Sequence, residues 1–107
     1  MQHRLLEKSG WNKLTLKEQL GNIGSEIGRA INAKNDYDKK MATYRALELF
    51  DLTLSSKSIK AGSTRREVAR AREVTCDFLL CNNVYQSTSK SLESYFMNFA
   101  IAARLNK

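Results

Sequence analysis

The sequence predicts an all-α fold, a four-helix up-down-up-down bundle, on three observations. The chain has no proline and only five glycines, so the turn punctuation of a many-stranded β protein is missing. Apolar residues recur at spacings of three and four in four separate stretches. The connections between those stretches are short, which suits antiparallel helical neighbours. A length of 107 residues, 42% hydrophobic and 27% charged, is that of one folded domain. The domain is expected to span 1–107, with 1–14 as an N-terminal extension that is partly flexible.

The first helix is marked by Thr15-Leu16-Lys17-Glu18, a capping box. In this device the Thr15 hydroxyl accepts the Glu18 N–H and the Glu18 carboxylate accepts the Thr15 N–H. From Leu16 the apolar stripe runs through Leu20, Ile23, Ile27, Ala30 and Ile31, and the helix is predicted to end near Ala33. Trp11 and Leu14 precede the cap, where Leu14 can pack on the first turn as a hydrophobic staple.

Asn35-Asp36 reads as a turn, and a second helix follows from Tyr37 or Asp38 to about Thr53. Met41, Tyr44, Leu47 and then Leu52 or Leu54 share its predicted inner face, broadened by Leu49 and Phe50. The segment 55–62 loses the periodicity and reads as the longest loop. Ser63 or Thr64 is predicted to cap the third helix, with Thr64-Arg65-Arg66-Glu67 as a second capping box. Its inner face is Val68, Ala71, Thr75, Phe78 and Leu79, and it ends at Asn82-Asn83, because Asn tolerates the left-handed conformation of a helix terminus. Ser87 to Ser89 open a fourth helix that keeps Leu92, Tyr95, Phe96, Phe99 and Ala103 in register.

Gly21, Gly24 and Gly28 lie on one face of the first helix, and each costs about 1 kcal/mol relative to Ala unless close packing repays it. Two readings stand: a tight helix crossing inside the bundle, or an interface approached by a second subunit or a nucleic-acid backbone, so that a homo-oligomer stays open. A phosphate-binding glycine loop does not fit, because no strand precedes these residues and no Gly-Lys-Ser/Thr follows them.

The chemistry available to the chain is narrow. His3 is the only histidine and sits in the polar N-terminal segment, which leaves no basis for a histidine triad, a His-ligated metal or a nuclease built on Arg-x4-6-His. Cys76 and Cys81, five apart and about 140° around a helix axis, suit neither a local disulfide nor a Cys-x-x-Cys motif and read as reduced packing residues, with a reactive thiol at Cys81 near the helix end as the alternative. Glu48 with Asp51, and Glu73 with Asp77, have the spacing to share a cation. Arg45, Arg66, Arg70 and Arg72 lie close enough to pair with these acids instead, and pairing of Arg45, Glu48 and Asp51 with Arg72 and Asp77 would fix the register of helices two and three. No catalytic residue, no metal and no cofactor is expected, and the protein is read as not an enzyme.

The balance is 18 Lys+Arg against 11 Asp+Glu, a formal charge of +7. Lys57, Lys60, Arg65, Arg66, Arg70 and Arg72 are offset in their span only by Glu67, so most of that excess lies on one predicted edge. Such an edge binds phosphate without reading bases, and Tyr85 at its far end offers one stacking surface. A solvated charged face or an acidic protein surface are the other readings of the same residues. No apolar run approaches the roughly 18 residues of a membrane span, and MQHRLLEKSG lacks the apolar block of a signal peptide, so no membrane and a cytoplasmic location are expected.

In length, charge and helix count the chain resembles the accessory variability determinant of diversity-generating retroelements and the related protein encoded in bacterial ribosomal-RNA intervening sequences. Gly21-Asn22-Ile23-Gly24-Ser25-Glu26 and Arg70-Ala71-Arg72-Glu73-Val74 are similar to elements of small bacterial proteins. The resemblance implies a cyclic oligomer that binds RNA and a reverse transcriptase through basic surfaces; being one of architecture, it carries over no functional residue. The expected function is a non-enzymatic accessory subunit binding nucleic-acid backbone, RNA in preference to DNA, beside a larger protein partner. The alternative is a protein–protein adaptor or inhibitor on an acidic or nucleic-acid-binding surface of its partner.

Overall fold

The computed structural model describes residues 10–11, 13–56, 59 and 62–105, the side chains of 63 and 99–105 excepted. Among the described residues it is an all-α bundle whose four long helices are α1 (Leu16–Ile31), α2 (Asp36–Leu54), α3 (Ser63–Leu80) and α4 (Ser89–Leu105). Helix α1 packs between α2 and α4, while α3 lies mainly on α2. Glu26 reaches Arg45 and Gln19 reaches Ser56, so α1 and α2 run antiparallel; Arg72 on Asp51 and Arg65 on Leu54 give the same relation between α2 and α3.

Local chemistry sets the helix ends. At the start of α1 the Glu18 N–H donates to Thr15 Oγ1 at 3.2 Å and the Thr15 N–H to Glu18 Oε1 at 2.9 Å, the predicted capping box. Helix α1 stops two residues before the predicted end, because Asn32 donates both its N–H and its side-chain amide to the Gly28 carbonyl. Asn35 caps α2, its Oδ1 accepting the Asp38 N–H at 2.8 Å, so that helix starts at Asp36.

The second predicted capping box does not form. Gly62 is the N-cap of α3 at φ +99°, a conformation open to glycine, and the Arg66 N–H donates to its carbonyl. Thr64 therefore falls inside the first turn and Glu67 beyond it, and both are exposed. Helix α4 opens on a reciprocal pair: the Thr88 N–H donates to Ser91 Oγ and the Ser91 N–H to Thr88 Oγ1, both at 3.0 Å.

The core gathers Leu20, Ile23 and Ile27 of α1, Ala46, Leu49 and Phe50 of α2, Val68 of α3, and Leu92 and Phe96 of α4. Trp11 joins it from the N-terminal segment, donating Nε1–H to Thr53 Oγ1 at 3.0 Å and accepting Gln19 Nε2 on its carbonyl at 2.8 Å. Ile59 buries itself from the α2–α3 loop. The predicted inner face of α2 is rotated: Ala42, Thr43 and Ala46 are buried with Leu49, Phe50 and Thr53, whereas Tyr44 is 52% exposed and Met41 and Leu47 are half-buried. Helix α2 lies between two neighbours, and small side chains allow both to approach. The expectations for His3, Phe99 and Ala103 lie outside the described side chains, as does 1–9 of the N-terminal extension. No described helix is long and apolar enough to cross a membrane.

Candidate nucleic-acid interface

The site is organised by the end of α3 and the loop that follows. Asp77 is 9% exposed, and its two carboxylate oxygens accept the N–H groups of Val84 at 2.9 Å and Tyr85 at 3.0 Å. These are charge-assisted bonds to backbone, and they fold the loop back along α3. Helix α3 ends at Leu80, short of the predicted Asn82-Asn83, with Cys81 as an extended C-cap, and Asn83 makes the reversal two residues further on at φ 54°. Its side-chain amide exchanges bonds with both the N–H and the carbonyl of Ser87 at 2.9 Å, and Gln86 is also left-handed at φ 57°. The loop is thus held at both ends by side-chain to backbone bonds.

Its product is a contact between a cation and an aromatic ring. The Arg70 guanidinium carbon stands 5.5 Å from the centre of the Tyr85 ring, within the range of a cation–π interaction. Tyr85 is 45% exposed, so the pair remains open to solvent. The sequence puts Tyr85 at the far end of the basic edge; the loop instead sets it against the middle of α3. Arg66, one turn before Arg70, is exposed.

The six basic residues of the predicted edge do not act alike. Arg72 donates Nε to Asp51 Oδ1 at 2.9 Å and Nη2 to Asp51 Oδ2 at 3.4 Å, a bidentate pair tying α3 to α2. Arg65 donates to the Leu54 carbonyl at the end of α2. Lys57 and Lys60 lie outside the described residues. Arg66 and Arg70 are the described members of the edge whose guanidinium groups face solvent or the Tyr85 ring.

The expected ionic register between helices two and three is only partly met. Arg72 and Asp51 form it, but Arg45 turns the other way and donates to Glu26 of α1 at 3.2 Å, where Arg29 also bonds Glu26 at 2.7 Å. Asp77 serves the loop backbone, so it is not an ion-pair partner in that register. Among the described residues no group of three or more His, Cys, Asp or Glu could hold a metal ion.

Cys76 and Cys81 are free thiols, half-buried and exposed respectively. The helix stops before Cys81, which takes an extended backbone, so the two thiols do not sit on one continuous helix as the 140° spacing assumed. Burial first, and then the Cys81 charge, push the Cys76 thiol above its ordinary value.

The glycines divide between two roles. A Cβ on Gly24 would stand 2.6 Å from Phe96 Cβ, so Gly24 serves the crossing of α1 and α4 inside the bundle. A Cβ on Gly28 would meet nothing within 4 Å. Gly28 and Gly21 line a shallow groove of about 230 Å³ bordered by Glu93 and Met97.

Neither the two N–H bonds of Asp77 nor the Arg70–Tyr85 stack is visible in local spacing. The one signal in the sequence is an acid on the last turn before Asn82-Asn83, placed to accept from the loop beyond. No protein-family model matches the chain, and no match is found among curated proteins or solved structures.

Proposed function

We propose that this domain is a non-enzymatic accessory subunit that binds the backbone of RNA, working beside a larger protein in a nucleoprotein or reverse-transcriptase-type assembly. The observation that carries the reading is the exposed Arg70–Tyr85 stack one turn from Arg66. Arginines supply phosphate contacts that fix position without sequence. An aromatic ring beside them supplies a face on which any base can stack, and single-stranded RNA offers unstacked bases. The formal charge of +7 favours encounter with a polyanion.

A random-sequence single-stranded RNA, titrated at about 50 and 200 mM salt, tests this directly. Phosphate contacts release counterions, so affinity falls steeply with salt. Binding that is absent at both concentrations, or insensitive to salt, would overturn the reading. One observation favours the adaptor alternative: Val84, Tyr85's chain neighbour, is 76% exposed, and Leu80 at the end of α3 is 38% exposed. Salt-insensitive binding to a protein partner is the result that reading requires.

A further inference from the structure

Helices α3 and α4 scarcely touch each other; each packs on a different neighbour, α3 on α2 and α4 on α1. The gap between them is a cleft of about 340 Å³, within the range of sites that take small organic groups. Its walls are mainly apolar, with Ala71 and Val74 from α3 and Leu92 and Phe96 from α4, and Ser87 and Ser91 complete the lining. Arg70, which also stacks on Tyr85, and the exposed Glu67 stand on its rim.

We infer that this cleft receives one unpaired nucleobase, inserted between α3 and α4 while the adjoining phosphate rests on Arg66 and Arg70. The inference rests on the RNA-binding reading and deepens it. Three features select this occupant. The rim is arginine-bearing in a chain of +7, so an anionic ligand is drawn to it. The walls are mainly apolar and include an aromatic pair, Tyr95 on Phe96 at 5.0 Å and 88°, which suits a flat ring better than a phosphate or a carboxylate. The rim carries both a donor, Arg70, and an acceptor, Glu67, as the edge of a base requires. A duplex keeps its bases stacked inside and cannot fill the cleft, so the cleft discriminates between single and double strands.

The test compares a single-stranded RNA with a duplex of the same length on the wild-type protein and on Ala71→Met, which fills the cleft from one wall. The wild type should prefer the single strand by about tenfold, the scale of one base contact. Ala71→Met should lose that preference and keep its duplex affinity and salt dependence. Because the larger side chain also changes the packing around it, a second measurement uses the wild type alone: NMR titration with AMP, GMP, CMP or UMP should shift the amides of residues 71, 74 and 92, and inorganic phosphate only those of 66 and 70.

Equal affinity for single strand and duplex in the wild type, or mononucleotide shifts confined to 66 and 70, would overturn the inference while leaving backbone binding intact. Absence of both duplex and single-strand binding in the wild type would instead sink the RNA reading itself. A hexaglutamate peptide that displaces the single strand as well as free mononucleotide does would also overturn the inference, because the cleft would then add nothing specific to a base.

Discussion

The Asp77 carboxylate accepts the backbone N–H of Tyr85 at 3.0 Å, eight residues further along the chain, and this bond decides where the aromatic ring stands. With its second oxygen on the Val84 N–H, Asp77 holds the loop against α3 and brings Tyr85 under Arg70. Asp77→Ala should leave two backbone donors without that acceptor and cost about 1–3 kcal/mol, read from urea unfolding. RNA affinity should fall as well, although Asp77 touches no ligand. Asp77→Asn, which keeps one carbonyl oxygen, should lie between the two in both measurements; an Asp77→Ala variant as stable as wild type would show that the loop is held by other contacts.

Reversing the charges of Arg66 and Arg70 together should abolish RNA binding and leave the fold intact. Asp51 is engaged by Arg72 and Asp77 by loop backbone, so neither arginine is part of a buried pair whose loss would unfold the domain. The stability loss should not exceed about 1 kcal/mol, the worth of the exposed stack. Circular dichroism and filter binding on Arg66→Glu/Arg70→Glu check both halves, and a stable double variant that still binds would move the functional surface elsewhere.

The glycine face should give opposite results at two positions one turn apart. Gly24→Leu forces a side chain into the α1–α4 crossing, where even a Cβ stands 2.6 Å from Phe96 Cβ, and overpacking of this kind costs about 1–3 kcal/mol. Gly28→Ala meets nothing within 4 Å and should stabilise the helix by about 0.5–1 kcal/mol. Thermal melts of the two variants decide it; a destabilised Gly28→Ala would mean that the open groove is occupied in solution.

Cys76 and Cys81 should separate by reactivity. The thiolate is the reacting form, and burial disfavours it at Cys76, so iodoacetamide should modify exposed Cys81 first, with Cys76 catching up only at higher pH. The Tyr95 phenol is raised in the same way, by burial and then by the Glu67 charge. Both groups have folded values above their ordinary 9.0 and 10.0, so the stability they contribute is complete below those values and is lost as pH rises through the folded ones. Equal alkylation rates at neutral pH would contradict this.

What the sequence made legible was local. The Thr15–Glu18 box and the stripe of Leu20, Ile23 and Ile27 depend on residues three and four apart, and the structure has them as read. The buried face of α2 was hidden because Met41, Tyr44 and Leu47 repeat at the same spacing as the true inner face. Packing between two helices selected Ala42, Thr43 and Ala46, a choice that hydrophobicity alone does not reveal. Among the basic residues, charge marked the edge, but only the fold assigns Arg72 to Asp51 and Arg70 to Tyr85.

The most direct measurement is photocrosslinking of the wild-type protein to a single-stranded RNA carrying 4-thiouridine, with the adduct mapped by mass spectrometry. The adduct is expected on Tyr85, in the tryptic peptide covering 73–90. Crosslinks confined to the Gly21–Gly28 face of α1, with none near Tyr85, would contradict the account.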